Sequence, residues 1–250
     1  DDNTPVQGES FANAFPRWLT PTKVGTPVFV APLGEEAVFQ FYAPRIAVDP
    51  VRNTVYLAGM NGSGQIAVCD NRFDTRLANG FSMLVPVVTP AVGSAIGMQQ
   101  YDLAVTSAGT VPLVWSVGGG GSANLMWCSK GPGGWSAPAG LSNVPAGNVV
   151  QADTFPRIRV DNANNLHIVS AMRRDTLLPR GNGTFYVAER RVEITYRRIT
   201  PTSITTTAIP DTVQTWTGGP TDTPPDWAYS NVSLALGLGS DLPFVLFNWN

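Results

Sequence analysis

The chain has 250 residues, enough for one all-β domain or two small ones, and enough to bury roughly 70–75% of its unfolded surface without covalent staples. Only 14% of its residues are charged, against about 25% in an average globular chain, while Gly (25) and Pro (21) are abundant. A net charge of −2 with no basic run argues against nucleic acid as a partner, and no apolar stretch reaches about 18 residues, which argues against membrane insertion.

Such a composition suits a loop-rich β protein working outside a cytoplasm: extracellular, secreted or on a virion surface. The chain starts at Asp1-Asp2-Asn3 without Met, as expected after removal of a leader or for a piece of something longer. No capping box precedes an apolar face of helical period, so no helix is expected.

Taken in order, residues 1–43 carry no inner-strand signature. Trp18-Leu19-Thr20-Pro21 matches Trp135-Ser136-Ala137-Pro138, and Thr20-Pro21-Thr22 returns as Thr200-Pro201-Thr202. This stretch therefore reads as the two outer strands of a unit whose inner strands lie elsewhere. The first full unit, 44–95, opens on Pro44-Arg45-Ile46-Ala47-Val48-Asp49, with strands A to D expected at 44–49, 54–60, 64–70 and 81–88. The second, 96–150, is expected at 101–106, 111–117, 122–129 and 135–142. The third, 151–215, repeats the opening as Pro156-Arg157-Ile158-Arg159-Val160-Asp161, with strands at 156–161, 165–171, 191–198 and 203–209. The last stretch, 216–250, offers only an A strand at 231–236 and a B strand at 242–248.

A period of about 55 residues with four short alternating strands per unit predicts a β-propeller. The simplest closure is a single four-bladed domain over 1–250, its last blade assembled from both termini; part of a six- or seven-bladed ring is the alternative. Cys69 and Cys128 end equivalent C strands, where neighbouring blades are too far apart to bridge, so two buried thiols are favoured over a disulfide.

The Pro-Arg-Ile-x-Val-Asp opening, its Asn-rich turn and the Leu166-His167-Ile168-Val169 strand resemble the repeats of sialidase-like, Asp-box (BNR-type) propellers. Trp127-Cys128-Ser129-Lys130-Gly131-Pro132-Gly133-Gly134-Trp135 resembles a degenerate Asp-box, with Gly131 where that family has Asp. The resemblance implies a scaffold that hosts glycosidases, lectins and interaction modules alike. It also implies what a sialidase would need: three arginines for a carboxylate, and a Tyr nucleophile with an acidic partner. Arg45 and Arg157 follow Pro rather than opening an Arg-Ile-Pro motif. Tyr196 and Glu193 have the right types but fall in a C strand.

Candidate ligand residues come from two sources. Strand-A alternation sends Arg45, Asp102, Arg157 and Asn231 toward the mouth of a central channel, where they would bind oxygen-rich groups or simply pair with one another. Two long connections, 172–190 and 210–229, add Arg173, Arg174, Asp175, Trp216, Asp222, Asp226, Trp227 and Tyr229, a mix that suits sugar rings or a docked protein. Asp49 and Asp161 are better explained as turn formers. His167, the only histidine, lies in a B strand without a nucleophile elbow and reads as structural. No metal loop, cofactor motif or catalytic acid pair stands out. Of three sequons, Asn61-Gly62-Ser63 and Asn182-Gly183-Thr184 fall in expected loops and Asn231-Val232-Ser233 at a strand start.

The favoured function is a non-catalytic propeller recognising glycan or a protein partner, with a possible homo-oligomer or larger assembly. A glycoside hydrolase and a structural decoration module of a viral particle or surface filament are the alternatives.

Overall fold

The computed structural model describes residues 42–49, 51–52, 54–60, 66–70, 82–83, 100–119, 122–237 and 240–249. Among them the chain is all β, apart from one 3-10 turn at Pro210–Thr212. It falls into two compact units, Asp1–Thr89 and Pro90–Asn250. The expected outer strands in 1–43 lie outside the described residues, apart from Tyr42 and Ala43, which already belong to the first strand.

In the first unit β1 (Tyr42–Asp49), β2 (Thr54–Met60), β3 (Ile66–Asp70) and β4 (Ser82–Met83) form an antiparallel meander in chain order. The sequence makes it so by alternation. Cross-strand register puts Arg45, Ala58 and Val68 on one face and Ile46 on the other. Tyr56, Ala58, Ile66 and Val68 are buried, whereas Ile46 and Val48 are 49% and 55% exposed. The Asp49 carboxylate closes the β1–β2 turn by accepting from the Val51 and Arg52 amides, both at 3.0 Å. Burial would raise that carboxyl; bonds from the Arg52 side chain and the two amides outweigh it and hold it low.

The second unit begins with another meander: β5 (Tyr101–Leu103), β6 (Val111–Gly119), β7 (Ser122–Gly131), then β8 (Gly134–Trp135) and β9 (Ala139–Gly140), both paired to β7. A third follows: β10 (Val149–Val160), β11 (Leu166–Pro179), β12 (Phe185–Ile199), β13 (Ile204–Ala208) and β14 (Gln214–Thr217), the last two paired to different stretches of β12. One parallel bridge, Ala152 to Ala123, joins the two meanders into a ten-stranded sheet. A terminal hairpin, β15 (Tyr229–Leu236) and β16 (Pro243–Trp249), forms its own two-stranded sheet.

Two turns repeat the same chemistry. Thr106 Oγ1 accepts from the Thr110 amide, and Asp161 accepts from the Ala163 and Asn165 amides. Three residues after each cap stands the residue with left-handed backbone, Gly109 (φ 79°) and Asn164 (φ 65°).

Cores lie on both faces of the third meander. Toward the second meander, Ile158, Leu166, Ile168 and Ile199 pack with Val114, Leu125 and Leu141. Toward the terminal hairpin, Val169, Ala171, Val192 and Ile194 pack with Tyr229, Val232 and Leu234. Cys128 is a free thiol whose pKa burial pushes up to about 12, so it is inert as a nucleophile. The side chain of Cys69 lies outside the described residues.

Three corrections follow. Residues 172–190 are not a loop. β11 and β12 run out as a long two-stranded ribbon that turns only at Arg180–Thr184, with Arg180 N–H donating to Thr184 O and Gly183 at φ 80°. Its charged residues pair across the ladder, Asp175 directly opposite Arg190, and so belong to strands. Second, 210–229 holds the 3-10 turn and β14, and leaves only 218–228 irregular. Third, Asn231 does not share the register of Arg157. β1, β10 and β15 each carry a bulge, where the inner strand advances three residues while its partner retreats two. Residues Tyr42 to Arg45, Thr154 to Arg157 and Ser230 to Ser233 span those bulges, so Ser233 stands where Arg157 stands.

Candidate functional site

The bulge of β10 borders a cavity of about 370 Å³ inside the second unit. Its lining includes Ser116 and Gly118 of β6, Ser122 and Ala123 of β7, Ala152, Thr154 and Phe155 of β10, Ala171 to Arg173 of β11, and Ala228–Tyr229 at the start of β15. Gly118 is required by the tight β6–β7 hairpin, because a Cβ there would overlap the Ser122 carbonyl oxygen.

Two features mark this cavity. Ser116 is 4% exposed, and its hydroxyl has no hydrogen-bond partner among the described residues. Buried hydroxyls are nearly always satisfied, so an orphan one asks for an explanation. Phe155 holds φ at 53°, which costs a bulky residue of order 1–3 kcal/mol. Its amide donates to Gln100 Oε1 at 2.8 Å, which keeps the Gln100 amide in place and leaves the Nε2 hydrogens as donors.

The mouth residues expected from strand A meet different fates. Arg45 lies on β1 of the first unit, opposite Ala58. Asp102 is buried on β5 and accepts from the Ile158 amide (3.0 Å) and Arg159 Nη1 (3.1 Å), tying the second meander to the third. Arg157 is half-buried, with Nη1 donating to Pro156 O. Asn231 is exposed in the β15 bulge at φ 50°.

Of the residues expected from the two connections, Arg173 lines the cavity, half-buried, with Nε 3.8 Å from Asp175. Arg174 faces the other way and donates to Gln151 Oε1. Asp175 is buried and clasped by Arg190 through two bonds of 2.7 Å. That clasp, with Asp226 adding to it, raises the Arg190 pKa against the opposing effect of burial. Trp216 lies on β14 opposite Arg190, with its ring over Gly218. Asp222 closes a turn by accepting from the Gly219 amide. Asp226 is exposed. Trp227 packs against Trp249 with ring centroids 6.0 Å apart. Tyr229 is among the lining residues, and its hydroxyl donates to Thr212 O at 2.6 Å. The structure thus brings Arg173 and Tyr229 to the cavity and commits most of the others to the scaffold.

Sequence reasoning missed Ser116, Gln100, Ala123, Ala152 and Phe155. Short side chains in strands carry no motif; the one local signal was the Gly-rich hairpin after β6.

Two buried polar networks lie on the third meander, one between cavity-lining residues and one at its β10–β11 turn. Asp153, fully buried, accepts from Ser142 Oγ (2.5 Å), Gln151 Nε2 (2.9 Å), Ser170 Oγ (3.1 Å) and Arg197 Nη2 (3.0 Å). Asp161 binds Asn165 and His167 Nε2 (3.1 Å), and His167 Nδ1 meets the Tyr196 hydroxyl at 2.7 Å. Burial alone would raise the Asp161 carboxyl; bonds from Asn165 and His167 outweigh it and bring it down to about 2. The two ring nitrogens of His167 thus both find buried partners, Nε2 the Asp161 carboxylate and Nδ1 the Tyr196 hydroxyl. Burial raises the Tyr196 phenol, the wrong direction for a nucleophile. Glu193 and Tyr196 are three apart on one strand and face opposite sides.

No family model matches the chain, and no curated protein matches it. Among the described residues no helix is long and apolar enough to cross a membrane.

Proposed function

We propose that this chain is a non-catalytic, four-bladed β-propeller of the sialidase-like, Asp-box type, acting outside the cell or on a virion surface, which recognises a glycan at its mouth cavity. The observation that carries recognition is the cavity itself, where a pinned glutamine amide and the half-buried Arg173 stand beside apolar walls. Binding sites combine a mostly apolar concavity with a few placed polar groups in this way.

Four successive inner strands, three carrying the same bulge, support a radial repeat. Among the described residues β15–β16 pairs with no third strand and exposes Phe244 (60%) and Leu246 (75%) on one face, as expected of the inner pair of a blade. An outer location is supported by the low charge and by the sequon Asn182-Gly183-Thr184, which occupies the exposed tip of the β11–β12 ribbon.

Binding without turnover is supported by the acids near the cavity. Glycosidases need two carboxylates free to act, about 5–10 Å apart. Asp153 and Asp175 are each buried and paired with an arginine. The test is a glycan array read at physiological salt, followed by incubation of any hit with the protein. A bound glycan recovered uncleaved is the expected result. A blank array from well-folded protein sinks the reading, and release of a reducing sugar replaces it with a hydrolase.

A further inference from the structure

We infer that Phe155 is the stacking residue of the cavity, its ring lying against the C–H face of a bound hexopyranose. This rests on the recognition reading above and names the side chain that would carry it.

The first observation compares two copies of one feature. Phe155 follows Thr154 in the β10 bulge, and Asn231 follows Ser230 at the same step of the β15 bulge. Both hold left-handed backbone, at φ 53° and 50°. Asn tolerates that region, whereas a bulky side chain enters it at a cost. Pro156 adds to that cost, because proline pushes the residue before it toward extended backbone. The bulge thus demands a backbone that one copy meets with a suitable residue. The other copy keeps a phenyl ring where the backbone disfavours it. Strain retained at one residue points to a use for its side chain, and bulges beside binding sites re-aim side chains in this way.

The second observation is what holds the strain in place. Phe155 stands outside the β10–β11 register, and its amide donates instead to Gln100 Oε1 at 2.8 Å. Gln100 is itself anchored, its carbonyl accepting from the Ser116 amide at 2.8 Å. The second meander therefore clamps the bulge of the third, and Gln100 and Phe155 both line the cavity.

The third is the position of the ring. The cavity, about 370 Å³, falls within the roughly 300–1,000 Å³ of small-ligand sites. Among the described residues its floor is buried, at Ala171, Met172 and Val192, and its rim meets solvent at Ser122 and in part at Arg173. Two aromatic residues line it. Tyr229 is buried and gives its hydroxyl to Thr212. Phe155 packs against the core under the hairpin, yet remains partly exposed. A sugar ring carries its hydroxyls around the edge and its C–H groups on the faces. The negative face of an aromatic ring attracts those C–H groups, and the contact releases water from both surfaces.

The experiment titrates the full chain at millimolar probe concentration, followed by NMR. The probes are methyl β-glucopyranoside, methyl β-galactopyranoside, methyl α-mannopyranoside and sorbitol, which has the hydroxyls without a ring face. One of the pyranosides should bind at least about tenfold tighter than sorbitol, with its ring C–H protons shifted upfield by the aromatic face. Phe155→Asn places at this bulge the residue the chain uses at the other. It should weaken that binding by at least about tenfold and remove the upfield shift, while Phe155→Tyr, which keeps a ring, should hold it within about threefold. Guanidinium unfolding of both variants separates stacking from packing.

A Phe155→Asn protein that is less stable but binds the pyranoside as wild type does makes Phe155 a packing residue alone and overturns the inference. Binding without an upfield shift, or no tighter than that of sorbitol, overturns it without any variant and leaves glycan recognition standing. Failure of all three pyranosides also overturns it, and together with a blank array overturns the recognition reading as well.

Discussion

Two seams flank the third meander, and they are built from different materials. Toward the second meander the aliphatic core borders a buried ion pair of the third meander, Asp153 and Arg197 at 3.0 Å, 0% and 3% exposed, whose bonds from Ser142 Oγ and to the Leu141 carbonyl cross the seam. Toward the terminal hairpin no buried ion pair crosses among the described residues. There Tyr229, Val232 and Leu234 pack on Val169, Ala171, Val192 and Ile194, a single hydroxyl reaches Thr212, and the Tyr229 ring is held within its own hairpin by Trp249 and Phe247, with centroids 4.7 and 5.1 Å away. Charge that is fully desolvated demands both partners in place. Rings tolerate small shifts, because their contact energy depends on area rather than on one geometry. The first seam should therefore be brittle and the second forgiving.

The sharpest way to break that contrast is Asp153→Ala. It strands the Arg197 guanidinium in the interior, and stability should fall by roughly 3–5 kcal/mol in guanidinium denaturation. Replacing the pair with two apolar residues should recover most of that loss. A loss below about 1 kcal/mol from the single change would show that charge does not hold the seam.

Next comes Asp161, whose turn serves both seams. Asn164 of that turn accepts from Ser107 of the second meander, and Asn162 donates to Asp241 of the hairpin. The Asp161 carboxyl lies at about 2 in the folded protein, below its ordinary 3.8. A depressed acid stabilises the fold above the unfolded pKa and loses that contribution as pH falls through the folded one. The window here is thus about pH 4 down to 2, with roughly 2–3 kcal/mol at stake. Acid unfolding of wild type against Asp161→Asn measures it: the variant should be less stable at neutral pH and show a flatter decline through that window. Identical curves would remove the turn from the account.

The smallest effect is Tyr229→Phe, which keeps the ring and deletes the bond to Thr212. A loss of about 1 kcal/mol is expected. Faster hydrogen exchange should be confined to β15 and β16, leaving β6 and β7 unchanged. If protection falls in both places, the seams are one cooperative body and the distinction between them fails.

Much of this scaffold is legible in the residues. The first three meanders lie close to where Pro-Arg-Ile openings, Asn-rich turns and period-two alternation place them, because those turns need particular residues: a side-chain acceptor at Asp161 and left-handed tolerance at Asn164. The ribbon of β11 and β12 was hidden for a physical reason. Arg173, Asp175, Arg190 and Arg191 look like loop residues until they stand opposite one another across a ladder. The register of β15 was hidden because Ser230 to Ser233 lacks the Pro-Arg pair that marks the other bulges. The cavity was least legible of all. Ser116, Ala123 and Ala152 acquire their role only from meeting at one place, and nothing in their own sequence neighbourhoods announces it.

The bulge has a consequence for how such a chain can change. Upstream of it, an odd-numbered residue of β10 (Asp153) bonds toward the second meander; downstream, an even-numbered one (Ile158) packs there. The extra residue resets the alternation, so the two halves of the strand keep separate parities. It works as a slip joint: length gained or lost there shifts one half of the strand by a step while the other half keeps its frame. A chain with such a joint in three strands has room to rewrite one end of each without redrawing the rest.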